Sequence, residues 1–306
     1  MNKIVKLIPL VAASLIVSSI SLAQDKKVTP RDTMEKIASQ GVIVLAVRES
    51  SVPFAYFDAK GNTIGYTVEI CERIAKKIRK NLNLSSLKVV YLPVQANERM
   101  DVVKNGLADM ECGATTNTKE RQQNVDFSVA VFAAEIKFVA NKDLNFKDVS
   151  ELNGKQISVT SKSIGETYVN DEKKKRNLTY QVNQYRDTKE GILAVLEGTN
   201  QAYPNDDILL HSQLAFNPAM KEKLHLTGNS FSPNTYGIVL PKGDTKFKNE
   251  VDTVLKELMS SGEINKIYEK WFLNIIPPKN ISINFPMNDT TKDIFAKPTD
   301  VALIDK

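Results

Sequence analysis

Short apolar runs alternate with segments of helical periodicity along almost the whole chain, and few folds accommodate such a pattern. Residues 42–47 form a continuous apolar run, which is typical of a strand buried on both faces of a parallel sheet. Apolar residues then recur at helical spacing across 68–78, and strand-like runs follow at 88–94 and 108–113. Because strand, helix and strand in succession favour parallel strands with crossover helices, this part predicts an α/β lobe.

A second alternation of the same kind begins at residue 136. Its strand-like runs and helical patterns lie at 136–140, 157–161, 165–169, 180–182, 188–196 and 202–203. A further strand-like run at 238–240 precedes amphipathic helices at 247–259 and 263–272. We therefore predict two α/β lobes, each a mostly parallel sheet flanked by helices, joined by two crossing strands with a ligand cleft between the lobes.

The lobe boundaries follow from the two crossings, which we place near residues 133–138 and 232–238. Lobe 1 then comprises residues 24–135 and 236–306, and lobe 2 comprises residues 136–235. Two lobes joined only at such crossings can rotate about them, so we expect hinge closure on a bound ligand.

The N-terminal 23 residues have the layout of a secretory signal peptide. Lys3 and Lys6 precede an apolar run at 7–22, which ends in a small-x-small cleavage pattern at 21–23. The alternative is a membrane anchor, but the run is short for a span and contains four serines and a proline. We expect residues 1–23 to be removed on export to the periplasm.

Charge and histidine content argue against two classes of function. The chain has 41 basic and 36 acidic residues, and removing residues 1–23, with two lysines and no acid, changes the formal net charge from +5 to +3. So mild an excess does not indicate a nucleic-acid-binding protein. Neither His211 nor His225 has a cysteine or histidine at metal-ligand spacing, so we expect no metal and no cofactor.

The chain has two cysteines, Cys71 and Cys112. Export permits a disulfide between them. Two buried thiols in separate elements fit the sequence equally well, because sequence alone does not measure their separation.

Four motifs occur in order along the chain. Residues 106–109 read G-x-x-D and residues 116–121 read T-x-T-x-E-R, followed by F-S at 127–128. The other three motifs are G-Y-T-V-E-I at 65–70, G-K-Q-I-S-V-T-S at 154–161 and the helix pattern at 261–272. Over residues 35–281, this series resembles the family-3 periplasmic amino-acid-binding proteins.

A narrower likeness is to the glutamate/aspartate-binding branch of that family. It rests on residues 48–54, 111–113, 277–280 and 284–285. The resemblance implies a type II periplasmic-binding-protein fold and a periplasmic monomer. Such a protein binds a free amino acid and delivers it to the permease of an inner-membrane ABC transporter.

A free amino acid is a zwitterion, so its binding site must offer both a cation and an anion. The resemblance assigns the α-carboxylate to Arg121, whose planar guanidinium holds both oxygens at once, and to the backbone N–H of Thr116. The alternative is that Glu120 and Arg121 are exposed charges after a turn.

The ammonium group needs a carboxylate. In the family an acid near the end of a second-lobe strand takes this part, and here Asp206 and Asp207 follow such a strand. We favour Asp206, although Pro204 can shift the register by one residue. A turn with two solvated aspartates is the alternative.

The turn that contains Ser161 and Ser163 precedes a predicted helix of lobe 2. A helix N-terminus presents unpaired N–H groups suited to a carboxylate, so we include both serines in the site. Either serine can instead be an ordinary N-cap without a ligand role. Lys162 stands between them, where the family often has glycine.

Specificity depends on the ligand side chain. Arg48 and Arg99 align with arginines that the acidic branch uses for the distal carboxylate, although an exposed arginine at either position would be unremarkable. Ala96 and Ala114 stand where that branch commonly has serines, and we include Ala114 among the ligand contacts. The stretch of lobe 2 in which that branch has a histidine contains none in this chain.

These observations predict a binding protein for glutamate or aspartate. A binding protein for glutamine or another polar amino acid is the first alternative. A dehydratase on the same fold is the second, but its candidate acids, Glu49 and Glu69, belong to no recognisable catalytic set. A receptor that signals to a membrane sensor is a further alternative.

Overall fold

The computed structural model describes residues 32–229 and 233–303. The predicted signal peptide at 1–23 and its cleavage site lie outside the described residues. Within the described ranges, no helix is both long and apolar enough to cross a membrane.

Strands and helices alternate in the described chain. The strands are β1 Val42–Val47, β2 Ser50–Ser51, β3 Ala55–Phe57, β4 Thr63–Ile64, β5 Lys88–Pro93, β6 Met110–Glu111, β7 Asp126–Phe127, β8 Phe132–Ala134, β9 Ile136–Asn141, β10 Gln156–Thr160, β11 Gln181–Tyr185, β12 Ala202–Asp206, β13 Leu224–Thr227, β14 Asn234–Tyr236, β15 Val239–Leu240, β16 Ile275–Ile276 and β17 Ile281–Ser282. The α-helices are α1 Thr33–Gln40, α2 Tyr66–Asn81, α3 Arg99–Lys104, α4 Lys119–Gln122, α5 Ile164–Arg176, α6 Thr188–Leu196, α7 Asp207–Phe216, α8 Pro218–Lys223, α9 Thr245–Ser260, α10 Glu263–Tyr268 and α11 Asp289–Ala296. A 3₁₀ turn at Val149–Leu152 and a π-helical turn at Glu269–Leu273 complete the set.

The first sheet has the strand order β5-β1-β6-β15-β7. Strand β1 is parallel to β5 and β6, and β15 runs antiparallel to β6 and β7. Helix α2 covers this sheet with an apolar face that includes Ile70, Ile74 and Ile78, all fully buried. The rings of Phe54 and Phe132 meet edge to face, 5.0 Å apart, in the same core.

The second sheet has the strand order β11-β10-β12-β9-β13. Strand β10 is parallel to β11 and β12, whereas β9 is antiparallel to β12 and β13. Since β10 and β12 lie side by side, both strands end at the same edge of the sheet. That edge faces the carboxyl ends of β1 and β6 in the first sheet.

Strands β8 and β14 connect the two sheets as an antiparallel pair, in which Asn234 lies opposite Ala134 and Tyr236 opposite Phe132. Thr116 forms a bridge to Tyr236, so the loop after β6 is attached to the same connection. The mixed α/β architecture with partly parallel sheets confirms the predicted fold class.

Cys71 and Cys112 form a disulfide, with their Cα atoms 6.3 Å apart. The bond joins α2 to the residue after β6, across 41 positions of sequence. Closing a loop of that length in the unfolded chain stabilises the fold by about 4 kcal/mol. The hydroxyl of Thr67 donates to the carbonyl of Cys112 at 2.9 Å and reinforces the same attachment.

Candidate functional site

A cavity lies between the facing edges of the two sheets. Its wall is formed by Arg48, Ser51, Ala96, Arg99, Ala114, Thr116, Thr160, Ser163, Ile164, Thr188, Asn205, Asp206 and Leu209. The volume of this cavity is about 30 Å³. Because that room suits about two waters, a free amino acid enters only if the wall moves outward.

Two buried arginines form the wall on the side of the first sheet. Arg48 follows β1 and is 8% exposed, and Arg99 begins α3 and is 5% exposed. Arg99 donates from Nε to the hydroxyl of Thr115 at 2.8 Å and from Nη1 to the carbonyl of Ala96. The Nε of Arg48 has no hydrogen-bond partner among the described residues.

The electrostatics of these arginines favour an anion. Burial and the neighbouring charge of Arg99 lower the pKa of Arg48 to about 10, and burial also lowers the pKa of Arg99. A buried guanidinium with unused donors is costly unless an anion pairs with it. The arrangement therefore suits a carboxylate placed between Arg48 and Arg99.

Arg121 adjoins the cavity but does not belong to its wall. Its Nη1 donates to the carbonyl of Thr116 at 2.8 Å, and its Nη2 donates to the carbonyl of Lys162 in the turn before α5 at 3.0 Å. Burial and Arg99 lower the pKa of Arg121 to about 9. The guanidinium thus joins the loop after β6 to the turn before α5, next to a wall residue, Thr116.

Asp206 is the last residue of β12 and is 3% exposed. Its Oδ1 accepts a hydrogen bond from Nδ2 of Asn234 at 3.0 Å, and the same Asn234 accepts one from the hydroxyl of Thr116 at 3.3 Å. Burial raises the pKa of Asp206, whereas the Tyr236 hydroxyl and Asn234 lower it. The buried carboxylate supplies the negative charge that an ammonium group needs.

Asp207 lies at the start of α7 and does not line the cavity. Its Oδ1 accepts the backbone N–H groups of Ile208 at 2.8 Å and Glu135 at 3.2 Å. Burial raises its pKa to about 6. Between the two aspartates that the sequence offered, Asp206 is the one that faces the cavity.

Ser163 is the N-cap of α5, where its Oγ accepts the N–H of Glu166 at 3.1 Å, and it also lines the cavity. The capping and wall roles therefore coexist in one side chain. Ser161 does not line the cavity, and its N–H donates to the carbonyl of Tyr185 at 2.9 Å. Lys162 has a φ of 57°, a left-handed conformation that favours glycine.

Several wall residues were not predicted from the sequence, of which Ser51, Thr160, Thr188 and Asn205 are polar. The hydroxyl of Thr188 accepts from Nδ2 of Asn205 at 3.1 Å and from the hydroxyl of Tyr203 at 3.3 Å. Thr188 is the first residue of α6, whose N-cap is Asp187. The D-x-x-E pattern of that cap marks the start of a helix in the sequence. It could therefore have indicated that Thr188 lies at a helix N-terminus.

Six of the eight residues that the sequence selected meet in this cavity: Arg48, Arg99, Ala114, Thr116, Ser163 and Asp206. Together they present cationic donors on one side and a carboxylate on the other. In the part of the chain that the structure describes, no group of three histidine, cysteine, aspartate or glutamate side chains is placed to hold a metal ion.

Comparison with known proteins places the chain among proteins of one kind. Residues 43–274 match the family model described as bacterial extracellular solute-binding proteins, family 3. The L-glutamate/L-aspartate-binding protein of Pseudomonas aeruginosa is 36% identical over 271 residues, which cover 88% of this chain and 89% of the relative. The glutamate/aspartate import solute-binding protein of Escherichia coli is 33% identical over 297 residues, or 96% of this chain and 98% of the relative.

A solved structure supports the same fold. The cysteine-binding protein of Campylobacter jejuni superimposes with a TM-score of 0.69 at 22% identity, covering 83% of this chain and 98% of that protein. Identity at this level is evidence for the fold alone.

Proposed function

The chain belongs to the bacterial extracellular solute-binding proteins of family 3, and we propose that it is the amino-acid-binding component of an ABC importer that captures glutamate or aspartate. The relatives named for glutamate and aspartate are more than 30% identical over most of this chain. They are binding proteins and not enzymes, and the same holds for this protein. We place it in the periplasm, as a monomer that delivers its ligand to an inner-membrane permease.

The observation that carries this proposal is that Arg48, Arg99 and Asp206, all buried, line the same cavity. Asp206 suits the ammonium group, which every amino acid shares. The two arginines suit a second carboxylate, which only glutamate and aspartate possess. Arg121 and Thr116 remain our candidates for the α-carboxylate, and Ser161 and Ser163 for contacts from the turn before α5.

Selectivity for an acidic side chain is the first expected result. Glutamine should bind at least about 1–3 kcal/mol more weakly than glutamate, because its amide leaves a buried guanidinium badly paired. Arg48→Met should remove most of that difference, by weakening glutamate far more than glutamine. Isothermal titration calorimetry with glutamate, aspartate and glutamine measures both effects.

Arg73→Met is the matched control for this experiment, since Arg73 is a partly exposed arginine of α2 that pairs with Glu69. It should leave all three affinities within about twofold. Tighter binding of glutamine, or of a basic or apolar amino acid, than of both acids would disprove the acidic specificity. The general assignment as an amino-acid-binding protein would stand in that case.

Closure of the two lobes is the second expected result. We propose that lobe 1, residues 24–135 and 236–306, and lobe 2, residues 136–235, rotate about β8 and β14. The cavity is too small to admit an amino acid without such movement, and contacts such as Arg121 to Lys162 hold it shut. Small-angle scattering should give a smaller radius of gyration with saturating glutamate than without ligand, and identical profiles would rule out the hinge.

A further inference from the structure

One buried acid near the cavity has no role in the proposed function. Glu111 ends β6, where β1 and β15 flank it on either side in the middle of the first sheet. Its side chain is fully buried, and neither carboxylate oxygen has a hydrogen-bond partner among the described residues. A buried carboxylate without such partners is costly, so an electrostatic partner is needed to account for it.

The partners that the fold offers are the arginines of the cavity. A Cβ added to Gly113 would collide with Oε1 of Glu111 and lie 3.1 Å from Cγ of Arg48, so the carboxylate and the Arg48 stem pack on the same glycine. Burial raises the pKa of Glu111, whereas the charges of Arg99, Arg48 and Arg121 lower it. Glu111 therefore lies beside the Arg48 stem and outside the cavity wall.

With all five side chains ionised, the charges around the cavity nearly cancel. Arg48, Arg99 and Arg121 then contribute three positive charges, and Asp206 and Glu111 contribute two negative charges, which leaves +1. A ligand of charge −1, such as zwitterionic glutamate, completes the neutralisation. Without Glu111 the site would carry +2 and would suit an anion of charge −2.

Other acids surround this group, namely Asp187 beside Arg48, Asp207 beside Asp206 and Glu120 beside Arg121. None of them lines the cavity, and Asp187 and Asp207 accept backbone N–H groups at helix starts. Their contributions are the same in every variant that differs only at Glu111, so they cancel in a comparison of such variants.

We propose that Glu111 is a specificity-determining residue that sets the net charge of the cleft and so selects a ligand of charge −1 over dicarboxylates that lack an ammonium group. The inference rests on the proposed function, because it takes Arg48, Arg99, Arg121 and Asp206 as the ligand's neighbours. In this proposal Glu111 influences which ligand binds through its charge, without contacting the ligand.

The test is a ligand series of equal length and increasing charge: glutamine at 0, glutamate at −1 and glutarate at −2. In Glu111→Gln, affinity relative to the parent should rise with each unit of negative charge on the ligand. Coulomb's law at an effective dielectric constant of about 20 predicts that this affinity ratio rises on the order of tenfold for each added unit of ligand charge, when Glu111 and the ligand are a few side-chain lengths apart. Calorimetry measures the three ratios.

Loosened packing would change all three affinities by one common factor, so the slope of the series tests the charge effect. Glu257→Gln is the control, since it removes one negative charge from an exposed residue of α9 that pairs with Lys77. All three of its ratios should stay within about twofold. Equal ratios for the three ligands in Glu111→Gln would overturn the proposal, including the case in which Glu111 is already protonated at neutral pH.

A failure of Glu111→Gln to fold is also informative. The double variant Arg48→Met with Glu111→Gln restores the site charge to +1 and should then regain a cooperative melting transition. If it stays unfolded while Arg48→Met alone folds, charge balance is not the role of Glu111. Weak glutamate binding by the parent protein would instead count against the proposed function, so the two failures are distinguishable.

Discussion

Replacing Asp206 with asparagine should weaken every amino-acid ligand by on the order of 2–5 kcal/mol. The substitution keeps the shape of the side chain and removes the negative charge that faces the ammonium group. The loss is large because Asp206 is 3% exposed, so water cannot take over the counter-charge. Glutarate has no ammonium group, and its affinity should fall much less or rise. Calorimetry with glutamate and glutarate measures the contrast.

Asp207→Asn is the matched control, because Asp207 is the adjacent residue with the same chemistry. Its carboxylate accepts two backbone N–H groups and lies outside the cavity wall. We expect lower stability from this variant and little change in ligand preference. A larger loss of binding in Asp207→Asn than in Asp206→Asn would show that the ammonium site is one residue further along.

Arg121→Ala should weaken all amino acids alike, again by on the order of 2–5 kcal/mol, because the α-carboxylate is common to all of them. Part of that loss comes from hydrogen bonds within the protein, since Arg121 also donates to the carbonyls of Thr116 and Lys162. Arg121→Lys keeps the charge without the planar pair of donors, so it should recover only part of the affinity. Calorimetry of the two variants with glutamate and glutamine distinguishes the effect of losing the positive charge from the effect of losing the planar pair of donors.

Arg186→Ala is the control for this series, since Arg186 is an exposed arginine of lobe 2 that pairs with Glu190. An exposed pair of this kind contributes little, so its removal should leave ligand affinity unchanged. If Arg121→Ala binds glutamate within about threefold of the parent protein, Arg121 is not the α-carboxylate partner.

The polar residues of the cavity were only partly predictable. Arg48 follows a strand and Arg99 begins a helix, and Thr116 belongs to the T-x-T-x-E-R motif, so a sequence pattern marks each of them. Ser161 and Thr160 show the difficulty, because adjacent residues at the end of a strand point in different directions. Strand β10 ends at Thr160, which lines the cavity, whereas the next residue, Ser161, does not.

The elements themselves followed closely from local patterns. The predicted strand at 42–47 and the helix at 188–196 have the observed bounds. Helix α7 was missed, because its apolar residues form no clear stripe and it begins directly at the end of β12. That junction holds Asp206 at the cavity and turns Asp207 toward the backbone, so the missed helix and the ambiguous register have one cause.

Local patterns in the chain were enough to predict the α/β class, the two sets of alternating elements and the arginines available for an anion, because periodicity and motifs are properties of neighbouring residues. The fold was needed to establish the disulfide between Cys71 and Cys112, the place of Asp206 in the cavity wall, and the position of Glu111 beside the Arg48 stem. Each of these depends on residues far apart in the chain. Their proximity arises where the edges of two sheets meet, and the packing of whole elements sets that geometry.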